Sequence, residues 1–235
     1  IMANDKPTVS RFPNGVATNE IFQNLGQFIL PDPTSVSTFF DDFFSLDVNN
    51  PGDWIVTLTT PGDALADTGD RGLAQLLTGT NPNDLTQIQK QVGQFLMESG
   101  KEVWFKTRFR LSDSVFSSAA VGLQTITPDA MDLVTSGVFF EKRNGDATLR
   151  LAVVNNTVAN YVDVVTMEDN TYYDVGFYFD GDNSIQVFLN NEQAGSSNAT
   201  NLPLSNILAP VVGVKTSQAV SKGLTADKIF VSKAV

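Results

Sequence analysis

The chain has no cysteine and no histidine among its 235 residues. Without cysteine there is no disulfide framework and no thiolate chemistry. Without histidine the commonest general base, the usual transition-metal ligand and the Ser-His-Asp mechanism are all missing. No apolar run reaches the ~20 residues of a membrane-spanning helix, and no basic-then-apolar leader opens the chain. Met2 is expected to be the native first residue. Gly-rich phosphate loops are absent as well: Asn50-Pro51-Gly52 and Pro61-Gly62-Asp63 read as turns. Positive charge is scarce, 15 Lys+Arg against 26 Asp+Glu for a net charge of -11. That balance disfavours nucleic acid and anionic membranes as partners.

What the chain does have is aromatic and β-branched material in short runs. Seventeen Phe suit pleated, half-buried surfaces. Val103, Phe105, Thr107, Phe109 and Leu111 alternate with Trp104, Lys106, Arg108 and Arg110, the period of a strand with one buried side. Two hairpins are nearly explicit. One turns at Asn144-Gly145 between Val138-Phe139-Phe140 and Leu149, Leu151, Val153. The other turns at Asp180-Gly181-Asp182-Asn183, between Val175, Phe177, Phe179 and Ile185, Val187, Leu189. Further strands are expected at 38–44, 54–59, 117–124, 160–166, 208–214 and 227–233. About a dozen strands fit two packed antiparallel sheets. Between Asn83 and Gly100, Leu85, Ile88, Val92, Phe95 and Leu96 match a helical period, but the flanks favour strands with a turn at Ser99-Gly100.

The first 36 residues differ. Pro7, Pro13, Pro31 and Pro33 punctuate a stretch with little alternation, which reads as an extended arm before a domain at 37–235. Within it Ile21, Phe22, Leu25, Phe28 and Ile29 follow helical spacing after Thr18 and Asn19. Such an apolar stripe packs on its own domain or docks on a neighbouring subunit.

Only carboxylates could serve as acid and base. A glycosidase on a sheet would set two of them facing each other across the bond, yet the one Glu-x-x-x-Glu spacing, Glu98 to Glu102, is broken by the Ser99-Gly100 turn, and the adjacent Asp41 and Asp42 point to opposite faces of a strand. Asp67-Thr68-Gly69-Asp70 and Asp180-Gly181-Asp182-Asn183 are oxygen-rich, but neither has the spacing of a calcium loop, and turn chemistry accounts for both. No metal, cofactor or catalytic residue is assigned. A candidate glycan face consists of Trp104, Lys106, Arg108 and Tyr178, with Asp174 alternating beside Tyr178; its alternative is an ordinary solvated sheet face.

The segments Phe40-Asp41-Asp42-Phe43-Phe44, Trp54, Trp104 to Leu111 and Val121-Gly122-Leu123, then Tyr173 to Asp180, Ile185 to Asn191 and Leu224 to Val231, resemble those of concanavalin A-like and laminin G-like jelly-roll proteins of tailed-phage virions. Asn191 stands where that pattern usually has Gly. The resemblance spans 37–235 and implies an all-β, two-sheet antiparallel jelly-roll sandwich. It further implies a non-enzymatic virion structural protein on the capsid surface, made in the host cytoplasm. Such a decoration or cement protein would contact the major capsid protein or another virion protein, typically as a homo-oligomer, with Ile21, Phe22, Leu25, Phe28 and Ile29 as docking residues. A carbohydrate-binding receptor-attachment module of a fibre or knob is the alternative, and a glycoside-processing enzyme on the same fold the third reading. The calcium ligands of legume-type lectins are not matched.

Overall fold

The computed structural model describes residues 35–44, 46, 52–59, 66–69, 72–198 and 200–235. The arm and its docking residues Ile21, Phe22, Leu25, Phe28 and Ile29 lie outside the described residues. Sixteen strands are described and no helix. They are β1 (Val36–Asp41), β2 (Trp54–Leu58), β3 (Ala66–Gly69), β4 (Leu73–Leu77), β5 (Leu85–Lys90), β6 (Phe95–Leu96), β7 (Val103–Leu111) and β8 (Ser117–Gln124). There follow β9 (Gly137–Lys142), β10 (Thr148–Asn155), β11 (Val158–Thr166), β12 (Tyr173–Phe179), β13 (Ser184–Leu189), β14 (Glu192–Asn198), β15 (Ile207–Thr216) and β16 (Gly223–Ala234).

Two antiparallel sheets face each other. The first runs β14-β13-β12-β7-β16-β4-β3, with β1 also on β16; the second runs β11-β10-β9-β8-β15-β5-β2, with β6 on β15. This is the expected jelly-roll sandwich. The alternation in β7 decides its orientation: Val103, Phe105, Phe109 and Leu111 are buried in the inter-sheet core. Thr107 shares that side and satisfies its hydroxyl by donating to Lys228 O at 2.7 Å. Phe105 stacks on Phe177 of the neighbouring strand at 5.1 Å and reaches Phe140 of the opposite sheet at 6.4 Å. Each such ring removed from water contributes about 2–3 kcal/mol.

Turn chemistry sets the register. Asp180 Oδ1 accepts from the amides of Asp182, Asn183 and Ser184 at 2.9–3.1 Å, and Gly181 takes φ +81°, so Phe179 faces Ile185. Asn190 and Asn191 both adopt positive φ, a type I′ turn, which explains how Asn191 replaces Gly. Asn156 and Thr157 do the same between β10 and β11; at Thr157 this is a strained conformation for a β-branched residue.

One expectation is corrected and one ambiguity resolved. Asp67-Thr68-Gly69 is not a turn: β3 pairs with β4 through Asp67↔Gln75 and Gly69↔Leu73. The helical period over 83–100 belongs to β5 and β6, as the flanks indicated. All six residues of β5 are buried, because the core covers one side of the strand and a loop covers the other, so alternation is erased.

Candidate functional site

The residues expected to form a glycan face do share the outer face of the first sheet. Trp104 lies opposite Tyr178, with ring centroids 5.5 Å apart. Their surroundings differ from an open ring platform. Trp104 is 3% exposed and Tyr178 6%, in a cluster with Phe188, Val36 and Phe230. Burial, then the bond Tyr178 Oη donates to Glu102 at 2.6 Å, pushes that hydroxyl well above the usual tyrosine range. Lys106 donates to Asn191 Oδ1, and burial holds its amine below the usual lysine value. Arg108 pairs with Asp227 at 3.3 Å and Asp174 at 3.7 Å. The two aromatic rings are therefore packing groups, and the cations continue from them as a separate row.

The outer face of the second sheet is built differently. Residues 125–136 cross it, and three glutamines buried beneath them pin them down. Gln87 donates to Thr127 O (2.7 Å) and accepts from Ala130 N (2.8 Å). Gln89 donates to Thr125 O and accepts from Thr127 N. Gln124 donates to Ala130 O. Beneath the loop, Leu85, Ala120, Phe139, Ala152, Val154 and Val211 pack against Ala130 and Met131 as a second, smaller core.

Beside this loop opens a cleft of about 240 Å³ lined by Asn83, Ser118, Asp132, Arg143, Asn144, Lys215, Thr216 and Ser217. Lys215 Nζ bridges Asp129 (2.8 Å) and Asp132 (2.5 Å), tying the end of β15 to the loop. Burial raises the Asp129 carboxyl, but Lys215 and the amides of Met131 and Asp132 outweigh it and hold the group below the usual aspartate range. Arg143 meets Glu141 at 3.1 Å and Asp132 at 3.8 Å. Ser217 Oγ and Asn144 Oδ1 stand 2.7 Å apart, and Asn144 N donates to Ser118 Oγ.

Glu141 is buried beneath the cleft. Its Oε1 lies 3.9 Å from Arg150 Nε, and neither atom has a hydrogen-bond partner. Arg150 is held by Asp146 at 2.7 Å and lies over the ring of Tyr161 at 5.4 Å. Tyr161 is 47% exposed, and it is linked to the cleft wall through Arg150, Glu141 and Arg143 in turn. The sequence reading assigned none of these residues. The available signal was glutamine at alternate positions of β5, where a core strand would carry apolar side chains.

No protein-family model matches the sequence, and no curated protein is similar to it in sequence. Solved structures do match in shape. The chain is similar to the carbohydrate recognition domain of Emp47p, at 13% identity and TM-score 0.60 over 87% of this chain and 99% of that one. It is similar to the β-glucanase of Bacillus licheniformis at 11% identity and TM-score 0.59, over 83% and 97%. Arcelin-5, a lectin-like defense protein from Phaseolus vulgaris, matches at 14% identity and TM-score 0.57, over 85% and 98%. At such identities the likeness shows the fold alone, and that fold is the concanavalin A-like, lectin-like jelly-roll sandwich.

Proposed function

We propose that this chain is a non-enzymatic carbohydrate-binding domain that seats one sugar in the Arg143–Lys215 cleft and stacks a neighbouring sugar on Tyr161. The observation that carries this reading is a small cleft lined by hydroxyl, amide and charged groups, linked through Arg143, Glu141 and Arg150 to an exposed aromatic ring. Polyhydroxylated rings need both. Lectin-like and carbohydrate-recognition structures of the same fold support it. Against catalysis, Asp129 and Asp146 are shifted downward by their partners, the opposite of the raised carboxyl a glycosidase acid requires. Asp132→Ala removes a charged acceptor and is expected to weaken glycan binding about tenfold or more. Tyr161→Ala is expected to cost about fivefold, the value of one aromatic contact. Titration calorimetry against hits from a glycan array reads both. An array without hits, or unchanged affinities, overturns the site; glycan hydrolysis abolished by Glu141→Gln overturns the non-enzymatic assignment.

One observation favours a second reading, the virion decoration protein of the sequence resemblance. Phe40 and Phe44 are 57% and 75% exposed on and just after β1, and Val235 is 75% exposed, with its amide bonded to Ser35 O. Exposed apolar side chains thus lie at both ends of β1, the strand that residues 1–34 lead into, an edge suited to docking on a capsid subunit. In this reading the arm, through Ile21, Phe22, Leu25, Phe28 and Ile29, completes an interface of at least about 1,200 Å². Deleting residues 1–34 is then expected to abolish association with the particle, measured by co-sedimentation; full association of the truncated chain excludes the role.

A further inference from the structure

We infer that the outer face of the first sheet is the docking site of this chain's own N-terminal arm, with the apolar stripe of residues 21–29 laid over Trp104, Tyr178 and Phe188. The pairing registers define that face. Phe188, Gly176, Lys106 and Phe230 follow one another across β13, β12, β7 and β16, and Tyr178 and Trp104 stand side by side in the next row. Gly176 has no side chain, so the face dips between Phe188 and Lys106.

The strands of this sheet do not by themselves account for how deeply the face is buried. Trp104, Tyr178 and Phe188 are 3%, 6% and 2% exposed, with Val36 and Phe230 packed against them. All five belong to one sheet. Side chains standing side by side on a pleated face shield each other's flanks and leave their outer ends open. The Trp104 indole N–H is also buried, with no hydrogen-bond partner among the described residues, which fits apolar cover rather than water. The second sheet has the same design: its outer cluster, with Phe139 and Val211, is buried because residues 125–136 cross it.

Three observations select the arm as the cover. First, the described chain starts at this face: Val36 packs in the cluster, and beside it Val235 N donates to Ser35 O. Second, the reach suffices. Residues 30–34 span up to about 17 Å when extended, and β1 stands two and three strand spacings from β7 and β12, about 10 and 14 Å. As a helix, residues 21–29 cover a further ~14 Å. Third, the composition fits. The other stretches outside the described residues, such as 47–51 and 60–65, hold one large apolar residue each, Val48 and Leu65, against Ile21, Phe22, Leu25, Phe28 and Ile29 in the arm. Docking in cis depends on neither functional reading. It limits the second, because a stripe buried on its own sheet reaches a capsid subunit only after release.

Tryptophan emission tests this contact. The chain has two tryptophans, and Trp54→Phe leaves Trp104 as the only reporter. In the full chain with that substitution, acrylamide is expected to quench Trp104 weakly. Adding Phe22→Asp and Phe28→Asp is expected to raise quenching severalfold and shift emission to the red, because carboxylates do not stay on an apolar face. Phe22→Leu with Phe28→Leu keeps the protection, and circular dichroism confirms the sandwich in each variant. Hydrogen exchange needs no tryptophan substitution: amides of 21–29 are expected to be protected in the parent and to lose protection in the Asp double variant. Docking in cis is overturned if the Asp double variant is quenched no more than the parent, or if amides 21–29 exchange freely in the parent. It is equally overturned if the parent's protection falls on dilution, which assigns the stripe to the face of a second copy.

Discussion

Lys142→Met is expected to remove a pH dependence of stability worth about 2–3 kcal/mol between pH 7 and pH 10. Lys142 follows Val138 and Phe140 on the core-facing side of β9 and is fully buried. Its amine donates to Val115 O at 2.8 Å and to Ser117 O. Burial is the main cause that brings its pKa from 10.5 down to about 8, with Lys222 adding to the fall and Asp113, Asp146 and Asp169 opposing it. Below pH 8 the lysine is charged in both folded and unfolded chains, and the folded state bears the full cost of a buried cation. Between pH 8 and 10.5 the unfolded chain still holds a proton that the folded chain has released. Raising the pH through that window therefore stabilises the native state. Urea unfolding of both proteins at pH 7 and pH 10 checks this through the difference between them, in which tyrosine ionisation and other common titrations cancel. The assignment fails if parent and variant change stability in parallel.

Gln87→Leu is expected to cost about 3 kcal/mol and to loosen the loop over the second sheet. The side chain is almost fully buried and satisfies one carbonyl and one amide of that loop. Leucine fills similar space but leaves both backbone groups unpaired away from water, at about 1–3 kcal/mol each. Because the same loop carries Asp129 and Asp132 to Lys215, the glycan affinity proposed for the cleft is expected to fall with loop order. Hydrogen exchange provides the discriminating measurement. Amides of 125–136 should lose protection in the variant while those of β7 and β12 keep theirs. Uniform loss across both sheets would mean that Gln87 acts on global stability alone.

Some of this architecture is local and could be read directly. The alternation in β7 assigned Val103, Phe105, Phe109 and Leu111 to the core, and the turn at Asp180-Gly181 set β12 against β13, because pleat period and positive-φ residues act within a few positions. Asp67-Thr68-Gly69 misled because turn-forming residues were read without their partner: pairing with β4 holds them extended. In β5 the period alone was ambiguous, because a strand covered on both sides stops alternating, and only the flanking residues favoured a strand.

The residue types and periods of this sequence were enough to determine a two-sheet sandwich without thiol or imidazole chemistry, since those properties depend on composition and short-range geometry. Only the tertiary structure decided which outward side chains stay accessible. Alternation assigns a side chain to a face but does not tell what packs over that face, so Trp104 and Tyr178 are buried while Tyr161 stays open. Assembly of the cleft needed folding too: Ser118, Asp132, Arg143 and Lys215 come from four separate segments, and only the stacking of β8, β9 and β15 under the 125–136 loop brings their charges within reach of one another.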